Sequence, residues 1–225
     1  MRFELKLTLL SDATFGRGDG VSGLVDQEIE YDSYTGLPFV RGRTLKGLLV
    51  EECANILYAL ELAQAPGLNQ LEDTARVLFG RSGSLLEDSG CLFVGNAQLP
   101  EALQVAIRQD IDAGHCQATD ILEMFTAVRR QTSVDETTGA PERKSLRSSR
   151  VLLRKTTLTA TLDLALPEGS ADLNDARSLL CACVAALRHG GSGRNRGRGA
   201  LYAELSGVAL DHELDHFEAL ARGGQ

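Results

Sequence analysis

The chain has 225 residues, 43% of them hydrophobic, with 23 Lys and Arg against 31 Asp and Glu, a formal net charge of -8 and a pI near 5.1. That is enough apolar chain for one sizeable core, and without a long polar linker residues 1–225 read as a single elaborated domain. No run approaches the roughly 18 consecutive apolar residues of a membrane span, and Met1-Arg2-Phe3-Glu4-Leu5-Lys6 alternates charges where a secretory signal would be apolar, so the sequence predicts a cytoplasmic protein with no membrane partner.

Phe3, Leu5, Leu7 and Leu9 alternate with Glu4, Lys6 and Thr8, the period of a half-buried strand that ends at Ser11. Residues 11–42 follow with Gly16, Gly18, Gly20, Gly23 and Gly36, an acidic, glycine-rich segment longer than an ordinary connection and therefore a candidate functional loop. Leu45, Leu48, Leu49, Cys53, Ile56, Leu57 and Leu60 have helical spacing, with Thr44 as the expected N-cap and Pro66-Gly67 as the stop. A short helix is predicted over Leu71 to Leu78 and a strand over Cys91 to Leu99. Thr132 to Pro141, centred on Thr138-Gly139, reads as the tip of a long hairpin with basic arms. Leu158, Ala160, Leu162 and Leu164 mark an interior strand, Asp172 to Arg188 an amphipathic helix, and Leu201, Ala203 and Leu205 a last strand after a glycine-rich loop at 190–199. The order strand, helix, strands, helix, strand predicts an α+β fold with a ferredoxin-like (RRM-like) core and a large insertion.

Five cysteines without regular spacing exclude a disulfide framework. Cys181 and Cys183 fall in a helical pattern as packing residues. A structural zinc on Cys91, His115 and Cys116 would lack the C-x-x-C pair such sites use, and buried thiols are the simpler expectation.

The net charge argues against a nucleic-acid partner, but the charge is segregated. Arg129, Arg130, Arg143, Lys144, Arg147, Arg150, Arg154 and Lys155 face only Asp135, Glu136 and Glu142, a local balance of +5, and Arg194, Arg196 and Arg198 form a second basic segment without an acid. A solvated charged face would account for either run alone. Gly190 to Gly199 joins five glycines to three arginines, so the backbone can approach phosphates, Gly191 and Gly193 among them, while the guanidinium groups grip them. The loop lacks the G-K-[ST] ending of a nucleotide-binding P-loop, which makes a polynucleotide backbone the natural ligand. Arg41, Arg43, Thr44 and Lys46 surround a predicted helix start, a second candidate anion site.

The glycine-rich loop before the last strand, and Thr35-Gly36-Leu37-Pro38-Phe39 followed by Gly42 and Leu45-Lys46-Gly47, resemble the RAMP superfamily of CRISPR-associated proteins, in particular the repeating backbone subunits of type III effector complexes. Arg43 stands where the family's T-G-x-P element usually has a small hydroxyl residue. Val134-Asp135 and Thr138-Gly139-Ala140 resemble the opening of the family's thumb, which places that insertion at about 125–156. The resemblance implies binding of a guide CRISPR RNA through Arg129, Arg130 and the loops, a thumb that displaces one nucleotide of the guide-target duplex at intervals, and neighbouring copies or related RAMP subunits as partners. It also implies an endoribonuclease that cuts target RNA with Mg²⁺, leaving a 2',3'-cyclic phosphate and a 5'-hydroxyl. It places the cutting acid and metal ligand at Asp26, with Asp32 the next acid in position. A non-catalytic structural or capping subunit of such a complex, and a repeat-RNA processing endonuclease using His189, are the alternatives.

Overall fold

The structure, a computed structural model, describes residues 1–21, 25–81, 89–133, 135, 137–140, 145–166 and 171–224. Its centre is a four-stranded antiparallel sheet of β1 (Arg2–Leu9), β2 (Leu92–Val94), β5 (Thr157–Leu164) and β6 (Leu201–Ser206), in the order β2-β5-β1-β6. Strict alternation makes these strands: in β1 and β5 every second residue is buried, so Leu5, Leu7, Leu158 and Leu162 all point to one face. Register is fixed because a one-residue slip would turn that row to water; Leu5 stands opposite Ala160 and Leu205, and Leu7 opposite Leu158 and Ala203.

Two helices cover the buried face. From α1 (Gly42–Leu62) come Leu45 and Leu49, and from α5 (Ala171–Ala186) come Leu179, Leu180 and Cys183, in one continuous core with the strands. Helices α2 (Leu68–Phe79) and α6 (Leu210–Ala221) pack outside α5, with Leu71 and Leu220 in a smaller apolar cluster. Cys53, Cys181 and Cys183 are buried, and burial pushes the Cys181 thiol up to about 12, so it stays a neutral packing group.

Between β2 and β5 the chain forms α3 (Glu101–Asp112), α4 (Ala118–Phe125) and a separate two-stranded hairpin, β3 (Thr126–Gln131) with β4 (Arg147–Leu152). None of α3, α4 and α6 was expected. Ile107 alone is fully buried in α3, so its apolar stripe is thin, and one inward position of α6 is taken by Glu213, paired with Arg177 at 2.8 Å. Val134 of the thumb motif lies outside the described residues.

Two boundaries differ from expectation. Helix α1 starts at Gly42, with Arg41 as an N-cap that makes no side-chain bond, so Thr44 lies within the first turn and donates its own N–H to the Arg41 carbonyl. The orphan N–H of Gly42 is satisfied from outside, by Asn96 Oδ1 at 2.9 Å. A Cβ at Gly42 would sit 2.0 Å from the Val94 carbonyl oxygen, so this glycine begins the helix because the helix must touch the sheet there. The strand expected over Cys91 to Leu99 is regular only to Val94. Val94 pairs with Leu162 and Gln98 with Thr159, so four steps oppose three, and the β-bulge turns Asn96 toward Gly42.

Candidate nucleic-acid interface

The described residues of the segment 11–41 are not a free loop but a seam of short bridges. Ala13 pairs with Leu152, Thr14 with Ser192, Gly16 with Ile29, Gln27 with Ser149 and Val40 with Ala97, and Ala13, Phe15, Ile29 and Val40 are buried. The segment therefore joins the sheet, the hairpin and the glycine-rich loop. Its glycines permit the bends, and its apolar residues pin it at intervals.

Asp26 stands where this segment runs alongside β4. Its Oδ2 accepts the Ser148 N–H at 2.6 Å and the Ser148 hydroxyl at 2.8 Å, and its own N–H donates to the Ser148 carbonyl at 3.1 Å. The Ser148 N–H, then its hydroxyl, hold the Asp26 carboxyl below the usual range, so an exposed carboxylate stays ionised. No described residue bonds Oδ1. Next along the chain, Gln27 donates from Nε2 to Ser192 Oγ of the glycine-rich loop at 2.9 Å and accepts at Oε1 from Ser149 Oγ at 3.5 Å. Beneath them Glu28, 1% exposed, accepts from Arg150 Nε at 2.8 Å, and Arg150 also donates to Thr126 Oγ1 at 3.2 Å. Three consecutive side chains thus fasten the acid to β4 and to the loop, and Arg150 carries the connection on to Thr126 of β3.

Asp32 is differently employed. Its Oδ1 accepts from the Thr35 hydroxyl at 2.8 Å and the Thr35 N–H at 2.7 Å, which hold its carboxyl low and close the turn leading to Leu37. Asp135 closes the hairpin tip in the same way, accepting at Oδ1 from Thr138 and Thr137, with Gly139 in the left-handed region.

The loop at 190–199 folds around a single 3-10 turn, Arg194–Arg196, between Gly193 and Gly197. Gly191 has φ +83° and a Cβ there would meet the Thr14 carbonyl oxygen at 2.5 Å, so a side chain would break the bridge from Thr14 to Ser192. Arg194 is fixed to Glu51 of α1 at 2.9 Å, Arg196 is exposed, and Arg198 is half-buried. His189 is exposed just ahead of the loop, its backbone bridged to Ala200.

Arg41, Arg43, Thr44 and Lys46 stand at the start of α1, and none of them lines the cleft at the foot of the hairpin. Lys46 Nζ donates to the Leu92 carbonyl at 3.1 Å, which sets the start of α1 beside β2, the sheet edge opposite β6 and its preceding loop. Arg41 Nε is 2.6 Å from Glu30 Oε1, while Arg43 is exposed. The hairpin cations do converge. Arg129, Arg154, Lys155 and Arg198 line an open cleft of about 560 Å³ at the foot of the hairpin, over Asp12. Arg154 and Lys155 belong to the basic run seen in the sequence, but nothing there marks them as wall residues. Arg130 is exposed on β3.

Among the described residues no three His, Cys, Asp or Glu side chains gather as a metal centre. His115 Nδ1 lies 3.3 Å from Asp110 Oδ1, and Cys91 and Cys116 are half-buried free thiols. No helix among the described residues is long and apolar enough to cross a membrane.

No curated protein matches the sequence. A chain in the cryo-EM structure of the type III-B Cmr-beta complex bound to cognate target RNA superposes with TM-score 0.64 at 10% identity, covering 95% of this chain and 99% of that one. The apo state of Cmr-beta gives 0.63 at 11%, covering 93% and 98%, and a type IV-B CRISPR complex gives 0.56 at 16%, covering 93% and 92%. These likenesses are of fold. The sequence model of the RAMP superfamily matches residues 6–202, from β1 into β6 and through every segment of the seam, and the chain belongs to that superfamily.

Proposed function

We propose that this chain is an RNA-binding backbone subunit of a type III CRISPR ribonucleoprotein and carries the acid that cuts target RNA. In this reading the β2-β5-β1-β6 sheet with α1 and α5 is a ferredoxin-like core, and the β3-β4 hairpin is a thumb inserted between its halves. The observation that carries the proposal is the fastening of Asp26 to Ser148 and of Gln27 to Ser192, which makes acid, hairpin and glycine-rich loop one unit. An acid so fixed keeps its place relative to whatever the hairpin wedges apart.

Guide and target backbones would lie against Arg129, Arg130, Arg196 and Arg198, whose guanidinium groups offer forked donors to phosphates. The hairpin would splay one target nucleotide, at an unstacking cost of a few kcal/mol. Cleavage then needs little covalent chemistry from the protein. The 2'-oxygen attacks the adjacent phosphorus, the 5'-oxygen leaves with a proton, and the products are a 2',3'-cyclic phosphate and a 5'-hydroxyl; alignment of the attacking and leaving oxygens supplies much of the rate. An ionised carboxylate whose Oδ1 no described residue bonds suits Mg²⁺, which takes one or two protein carboxylates and completes its shell with phosphate oxygens and water. Bound there, the ion would neutralise charge on the phosphoryl oxygens. Asp26 would hold it, and Ser148 would hold Asp26.

The test is cleavage of guide-complementary RNA by the reconstituted complex, in Mg²⁺ or EDTA, with native chain or Asp26→Ala. Cuts at regular spacing, lost with EDTA and with the substitution while RNA stays bound, are expected. Unchanged cutting by Asp26→Ala would place the chemistry elsewhere. No cutting by the native complex would leave a scaffold or capping subunit.

A further inference from the structure

The cleft at the foot of the hairpin has features that general RNA affinity does not require. Its cations come from three separate segments: Arg129 from β3, Arg154 and Lys155 from the turn between β4 and β5, and Arg198 from the glycine-rich loop. Like charges from separate segments repel, so the backbone must hold them together. Lys155 has φ +70°, a conformation that residues with a side chain rarely adopt, and its N–H is anchored to the Leu9 carbonyl at 2.7 Å.

Asp12 is the hub of this arrangement. Its Oδ2 accepts from Arg129 Nε at 3.1 Å and from an Arg129 terminal nitrogen at 2.8 Å, its Oδ1 accepts the Arg154 N–H at 3.1 Å, and its carbonyl accepts the Gly199 N–H at 2.9 Å. A guanidinium fork together with a backbone N–H is the donor set that proteins present to a phosphate. One carboxylate against four cations leaves the cleft at +3, and no other acid lines it among the described residues.

We infer that this cleft seats one phosphate of the bound RNA, and that Asp12 holds Arg129 in the phosphate's place until RNA displaces it. The inference rests on the RNA-binding role proposed above and adds a specific anchor. It also separates anchoring from cutting: Ser148, which holds Asp26, lies five residues along the chain from Leu153 at the cleft, at most about 17 Å at strand rise. Asp12 is thus a competitor for Arg129 rather than a helper of the ligand, which fixes the sign of its removal.

The experiment is fluorescence anisotropy of a short labelled single-stranded RNA with the full chain, titrated over salt. It compares the native protein, Arg154→Ser combined with Lys155→Gly, and Asp12→Asn. Glycine accepts the left-handed φ at 155, and asparagine can still accept the Arg154 N–H, so unchanged thermal unfolding is expected of both variants and serves as the folding check. The double variant should bind more weakly, with the slope of log affinity against log salt shallower by about 0.7 for the lost phosphate contact. Asp12→Asn should bind about fivefold more tightly at low salt, the repulsion of one charge near the surface having gone. A double variant with native affinity and slope, or weaker binding by Asp12→Asn, overturns the anchor while leaving RNA binding intact. A native chain that does not bind RNA overturns the RNA-binding role, and the anchor with it.

Discussion

Removing the Glu28 carboxylate should loosen the whole interface from beneath. Glu28 is 1% exposed, and its Oε1 takes both the Ile29 N–H at 2.9 Å and Arg150 Nε at 2.8 Å; the Arg150 side chain is 16% exposed. Glu28→Ala leaves a guanidinium mostly out of water, with the Thr126 hydroxyl as its remaining side-chain acceptor. Breaking one side of a buried pair costs about 3–5 kcal/mol, a large share of a stability on the order of 5–15 kcal/mol. For a chain of this length each kcal/mol moves Tm by about 2–4 °C, so a fall of about 6–20 °C is expected. The cost comes from the stranded charge. Replacing both partners, Glu28→Met with Arg150→Met, should therefore recover most of it, because apolar groups of similar volume often replace a buried pair without loss. Urea and thermal unfolding of the native chain, both single variants and the double variant form the cycle. Single variants that each cost below about 1 kcal/mol, or a double variant as unstable as the sum of the singles, would refute the assignment of Glu28 and Arg150 as a coupled buried pair.

Two further substitutions test the parts above that base. Ser148→Ala removes one of two donors to Asp26 Oδ2 and leaves the N–H, the larger cause of its low pKa, so cleavage should fall about 10- to 100-fold at neutral pH, with stability little changed. Because the folded carboxyl is held low, native Asp26 stays charged as pH falls through the usual carboxylate range and loses its charge only below it. The acid limb of the native pH-rate profile should accordingly lie below about pH 4, and Ser148→Ala should move it upward; a limb that does not move would detach Asp26 from the rate. Gly191→Ala should destabilise by about 1–3 kcal/mol, read by thermal unfolding, since the left-handed φ and the 2.5 Å approach to the Thr14 carbonyl both oppose a Cβ. Native stability in that variant would mean that the bridge to Thr14 yields freely.

What the sequence discloses depends on how local the determinant is. Alternation in β1 and β5 is plain because one face of the sheet is buried and the other is wet, and the spacing of α5 is plain because leucines and cysteines fill its inner face. Helix α6 is hidden by Glu213, a carboxylate at an inward position that its pairing with Arg177 makes tolerable. The start of α1 is hidden by Gly42, a residue that ordinarily ends helices and here begins one because of the nearby Val94 carbonyl. The site divides in the same way. Resemblance to the RAMP motifs marks Asp26, but its partner Ser148 is 122 residues away and carries no signal of its own. Basic composition marks the run holding Arg154 and Lys155, whereas their place at the cleft is set by backbone N–H groups bonded to Asp12 and Leu9, 142 and 146 residues before them.

On the RNA-binding role proposed above, the wet face of the sheet bears on how a chain of net charge -8 would serve RNA. That face carries Arg2 against Asp163 at 2.8 Å and Lys6 against Glu204 at 3.5 Å, with Glu4 between them, two cations for three acids. Its exposed aromatics, Phe93 on β2 and Tyr202 on β6, stand on opposite edge strands, one level with Arg2 and the other with Thr8 of β1, so three strand spacings and six residues of strand rise separate them by roughly 25 Å. Sheets that bind single-stranded RNA across their open face stack adjacent bases on neighbouring aromatic rings. This face offers phosphates a slight repulsion and bases no paired platform. A polynucleotide is left with the hairpin and the glycine-rich loop, where the cations outnumber the acids and where Asp26 is held. The excess acid elsewhere then works for the interface, because it leaves the basic cleft as the favoured landing place for a polyanion rather than one of many.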